Sequence, residues 1–103
     1  MTTPEELLSR VRPALHDVLD PETGISLVDL GLVYDVAVDD SGLAFVLLTL
    51  TSPACPASDV IISGIRRRLL LVEGVREVMV KITFEPPWTA DRITPSGRAQ
   101  LGW

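Results

Sequence analysis

Six consecutive apolar residues, Leu43 through Leu48, constrain this chain more than any other feature. The run is far shorter than the roughly 18 to 20 residues that cross a membrane as a helix. It has the length of a strand, and because side chains alternate between faces, a strand apolar at every position needs cover on both sides. A central strand meets that need, and so does contact with a partner chain. Just before it, Leu32, Tyr34, Val36 and Val38 alternate with Val33, Asp35, Ala37 and Asp39, which predicts a strand with one wet face. Asp39-Asp40-Ser41-Gly42 supplies the turn that joins the two as a hairpin.

On either side of the hairpin the apolar period is helical. Thr3-Pro4-Glu5-Glu6 has the form of a capping box with proline at the first helical position. Leu7, Leu8, Val11, Leu15, Val18 and Leu19 then form one buried stripe. Pro13 interrupts it and predicts a kink or two abutting helices, since an interior proline costs about 3 kcal/mol. Asp20-Pro21-Glu22-Thr23-Gly24 ends the segment as a turn. A second helix is predicted over about Ala57 to Val72, with Ile61, Ile62, Ile65, Leu69 and Val72 as its stripe and Gly74 as a left-handed cap. Val75 to Phe84 reads as a third strand, with Val78, Val80, Ile82 and Phe84 inward and Pro86-Pro87 as its stop. Thr94-Pro95 opens a short last helix ending near Gly102-Trp103.

The order α-β-β-α-β-α predicts an α+β two-layer sandwich, with a three-stranded mixed sheet and helices on one face. At 103 residues and 47% apolar composition, residues 1–103 are expected to form one domain with a modest core. Nine basic against fourteen acidic side chains give a net charge of −5, which argues against nucleic acid or anionic membranes as partners. Met1 to Glu6 lacks the charge and apolar stretch of a secretory signal, so a cytoplasmic location is expected.

Cys55 is the one cysteine, so it makes no internal disulfide. Pro56 behind it suits a first helical position and sets the sulfur near the N-terminus of the second helix, where free amides and the helix dipole favour the thiolate. Asp59, one turn in, partly opposes this; Pro53 and Pro56 stiffen the loop. The plainer alternative is a buried structural cysteine. Protease-like catalysis would need a base beside the thiol, and the one histidine, His16, is expected to be a solvated surface residue. A zinc site or an iron–sulfur cluster normally takes four ligands, so this chain supplies one thiolate and any cluster would be shared with a second copy, a client or a small thiol.

Asp20, Glu22 and Asp29 read either as turn formers or as a carboxylate group near the thiol, with Asp29 placed to cap local amides and Gly31 to adopt a glycine-only conformation. Arg66-Arg67-Arg68 is a solvated helix face or a docking patch for an acidic protein. Trp88 and Trp103 are core lids or, where exposed, marks of an interface.

Four separated motifs, Leu19-Asp20-Pro21-Glu22, Ile25 through Tyr34, Thr49 through Pro56, and Pro86-Pro87-Trp88, together resemble the SufT-like and PaaD-like family, small domains tied to iron–sulfur cluster assembly. The likeness runs from the first helix to Leu101-Gly102. It implies a reactive cysteine at Cys55, supported by Asp20, Glu22, Asp29, Thr51, Ser52, Pro53 and Pro56. It further implies a non-enzymatic accessory factor in cluster assembly or delivery, holding iron or a shared cluster transiently. Its partners would be client iron–sulfur proteins or an assembly scaffold, met through a surface that includes Arg66, Arg67 and Trp88. A homodimer is a further expectation. The PaaD-like branch, which serves a phenylacetyl-CoA oxygenase, carries a cysteine-rich C-terminal extension, and the end at Trp103 points to the SufT-like branch. Pro13, Gly64 and Gly97 stand out as weak points for stability. A truncated PaaD-like protein, a shape-recognising adaptor that binds no metal, and a thiol enzyme carrying acyl or persulfide groups are the alternatives.

Overall fold

The computed structural model describes residues 3–51 and 58–103. Helix α1 spans Pro4–His16, strands β1 and β2 span Val33–Val38 and Leu43–Leu48, helix α2 spans Ser58–Leu70, strand β3 spans Glu77–Ile82, and helix α3 spans Pro95–Leu101 after a single 3-10 turn at Ala90–Arg92. The expected order is present. The sheet runs β1-β2-β3, with β1 antiparallel to β2 and β3 parallel to it. The parallel pair follows from the helix inserted between its strands, which returns the chain to the same end of the sheet.

Thr3 caps α1 by accepting from the Glu6 amide at 3.2 Å, and Pro4 fills the first turn, where no amide donor is needed. The helix continues through Pro13, in place of the break expected there. Pro13 and Ser9 are both exposed, so the carbonyl that loses its amide partner can turn to water. Leu7, Val11, Ala14 and Leu15 are buried along one stripe. Because the helix ends at His16, Leu19 departs from that stripe: it bridges to Ser26 and is 54% exposed.

Ile61, Ile65 and Leu69 bury the matching stripe of α2. The helix stops at Leu70, short of Gly74, which takes its positive φ of 101° inside the turn to β3. The rows Val38-Ala44-Val78, Val36-Val46-Val80 and Val33-Leu48-Ile82 place Ala44, Val46, Leu48 and Val78 on the face that α1 and α2 cover. β2 is therefore central but fully buried on that face alone, and Leu43, Phe45 and Leu47 on the other face are half-buried. Phe84, expected to face inward, is also exposed, lying two residues past the end of β3. Among the described residues no helix is long and apolar enough to cross a membrane.

Candidate functional site

Cys55, with Ser52, Pro53 and Pro56, lies outside the described residues, and Thr51 and Ser58 border that segment. Thr51 leads into it and Ser58 opens α2 beyond it. Thr51 lines a cavity of about 200 Å³ whose floor is apolar, formed by Leu30, Leu32, Leu50, Ile61 and Ile93. Asp20, Glu22, Thr23, Trp88, Leu101 and Trp103 complete the lining.

Each wall has a local cause. The Asp20 carboxylate closes its own turn, accepting from the Thr23 amide at 3.2 Å and the Thr23 hydroxyl at 3.0 Å, while the Gly24 amide donates to the Asp20 carbonyl at 2.8 Å. These bonds are the turn-forming role, and Glu22 is left exposed at the lip. The Thr49 amide donates to the Leu32 carbonyl at 2.8 Å, extending the hairpin pairing so that Leu32 and Leu50 reach the floor together. Trp88 is half-buried, and its indole N–H donates to the Leu30 carbonyl at 2.8 Å, which fixes the ring as a wall. At the end of α3, Gly102 adopts φ 77° and the Trp103 amide donates to the Arg98 carbonyl at 2.9 Å. That Schellman closure turns Trp103, 66% exposed, back toward the cavity.

Asp29 does something other than cap local amides. Its carboxylate is buried and accepts from the Thr94 hydroxyl at 2.8 Å and hydrogen-bonds His16 Nε2 at 3.1 Å. Its carbonyl accepts from the Thr94 amide at 2.8 Å. Thr94 Oγ1 in turn accepts from the Gly97 amide at 3.1 Å and so caps α3. One carboxylate thus ties the end of α1 to the start of α3, one residue away from the cavity floor at Leu30. His16 is half-exposed, as expected of a surface histidine, yet it is held by this bond. Gly31, with φ 72°, needs its hydrogen: a Cβ there would overlap the Arg92 carbonyl.

The structure thus gathers Asp20, Glu22, Thr51 and Trp88 around one cavity and leaves Asp29 just outside it as an anchor. Arg66 and Arg67 lie elsewhere. Arg67 lines an open groove between α1 and α2 with the exposed Leu19, Val60 and Leu71, and Arg68 donates to Asp17 at 3.1 Å. Among the described residues, no group of three or more His, Cys, Asp or Glu is placed to hold a metal ion. Sequence reasoning missed Leu101 and Thr23 as lining residues. The apolar end of the α3 segment was the only signal for the first.

Fold and cavity define a small α+β domain with an acidic-lipped apolar recess that Thr51 helps to line. Residues 8–82 match the iron-sulfur cluster assembly protein family, and the chain belongs to it. It is 39% identical to the Fe-S protein maturation auxiliary factor YitW of Bacillus subtilis over 95% of this chain and 96% of that one. It is 42% identical to the Fe-S protein maturation auxiliary factor SufT of Staphylococcus aureus over 82% of this chain and 97% of that one. A crystal structure of a domain of unknown function from Bacillus anthracis superimposes with a TM-score of 0.90 at 35% identity, covering 96% of this chain and 94% of that one.

Proposed function

We propose that this protein is an accessory factor in iron–sulfur cluster assembly or delivery, that it acts through the thiol of Cys55, and that it catalyses no reaction of its own. The observation that carries the reading is the recess walled by Asp20, Glu22, Thr51 and Trp88. Cys55 follows Thr51 by four residues, so chain length alone keeps its Cα within about 14 Å of the Thr51 Cα. The apolar floor excludes water from one side of a bound group, and the acidic lip favours cationic iron over anions.

A single thiolate cannot complete the usual four-cysteine set, so iron or a cluster is cargo held jointly with a client or scaffold and passed on. The acidic edge of a client would meet Arg67 at the groove beside α2, where Leu19, Val60 and Leu71 offer apolar contact, and Arg66 on the exposed surface of the same helix. A lone thiol kept reduced fits work in the cytoplasm. Anaerobic loading with iron and sulfide tests the assignment: the native protein gains thiolate-to-iron charge-transfer absorption and Cys55→Ser gains little. Equal spectra would remove the thiol from the account.

A further inference from the structure

The sheet face turned away from the helices carries an independent signal. Cross-strand pairing sets Asp35, Leu47 and Lys81 in one row and Ala37, Phe45 and Met79 in the next, with Leu43 and Glu77 beyond. Leu43, Phe45 and Leu47 are half-buried, Met79 is 49% exposed, and Asp35, Ala37 and Lys81 are exposed. The face is apolar along its middle strand, with Asp35 on one edge and Lys81 and Glu77 at opposite ends of the other.

We propose that this face pairs with the same face of a second copy, about a two-fold axis running along β2. Such an axis lays β1 of each copy over β3 of the other. Asp35 then meets Lys81 twice, small Ala37 receives large Met79 twice, and Phe45 and Leu47 stack on their own counterparts. A two-fold axis across the strands would set β1 on β1 and lose both matches. Sheets that stack with nearly aligned strands do so about 10 Å apart, within reach of these side chains. The Asp35 carboxylate already accepts from the Val36 amide at 2.9 Å and keeps its other oxygen for the partner. Glu77 comes near the partner's hairpin turn at the solvent-exposed rim, where like charge is screened. Three strands of six residues present a face of about 14 by 20 Å, small beside the ~800 Å² per partner of standard interfaces, so the dimer is weak and concentration-dependent. The face shares no residue with the cavity or the groove, which both stay open.

Light scattering across roughly 10 µM to 1 mM, a range that brackets weak association, reads the dimer directly. Wild type passes from monomer to dimer. Asp35→Lys and Lys81→Asp, each placing two like-charged pairs at the interface, stay monomeric alone and form a heterodimer when mixed, because the mixture restores both opposite-charge pairs. Far-UV circular dichroism establishes that both variants are folded. A wild type monomeric throughout overturns the proposal, as does dimerisation that neither charge reversal affects or that mixing fails to restore.

Discussion

Two glycines that look alike in the sequence are expected to respond oppositely to alanine. Gly64 and Gly97 both sit inside helices, where glycine costs about 0.5–1 kcal/mol relative to alanine. At Gly64 an added Cβ would lie 3.6 Å from Val18 Cγ1, an ordinary contact, so Gly64→Ala keeps the helix gain and stabilises by about 0.5–1 kcal/mol. At Gly97 the Cβ would lie 2.8 Å from the Asp29 carbonyl oxygen and 2.9 Å from Ile93 Cγ2. Neither neighbour can yield easily, because the carbonyl is bonded to the Thr94 amide at 2.8 Å and Ile93 is buried. Overpacking of this kind costs about 1–3 kcal/mol, which outweighs the helix gain and leaves Gly97→Ala about 1–2 kcal/mol less stable. For a domain of this size that lowers Tm by about 5–15 °C. Urea denaturation followed by tryptophan fluorescence and circular dichroism measures both changes, with the slope m expected to be constant. If Gly97→Ala equals or exceeds the parent in stability, or the two variants shift in the same direction, α3 does not press on the Asp29 backbone as described.

Thr94→Val keeps the shape of the side chain but removes both the cap on Gly97 and the hydroxyl given to Asp29, and should cost about 2–4 kcal/mol by the same denaturation assay. A loss under about 1 kcal/mol would show that the anchor contributes little. Asp39 accepts from the Ser41 hydroxyl, and from the Leu43 and Ser41 amides, so its carboxyl is held below the ordinary 3.8. A depressed carboxylate stabilises the fold above its unfolded value and loses that contribution as pH falls through the folded one. Carboxyl-carbon NMR titration should place Asp39 below 3.8, and Ser41→Ala should raise it. An unchanged midpoint in Ser41→Ala would assign the shift to another cause.

The element order and both helix stripes were legible because hydrophobic period is a local property: Leu7, Val11 and Leu15 announce a helix, and Val36 and Val38 a strand, before any packing is known. Helix starts were legible for the same reason, since Thr3-Pro4 and Thr94-Pro95 satisfy amides within one turn. The cysteine, its prolines and the acidic turn could also be picked out, from residue type and motif alone.

What a residue does through distant neighbours could only come from the tertiary structure. Asp29 and Thr94 are 65 positions apart, and no local pattern says that one buried carboxylate will anchor the other's helix. The same holds for Gly97, which looked like a weak point until Asp29 was found against it, and for Leu101 and Trp103, which close over the far-off Leu32 and Leu50. Amino-acid order dictates which backbone conformations and faces are cheap. The folded chain alone decides which surfaces meet, because long-range contacts depend on how all the elements fill the same space at once.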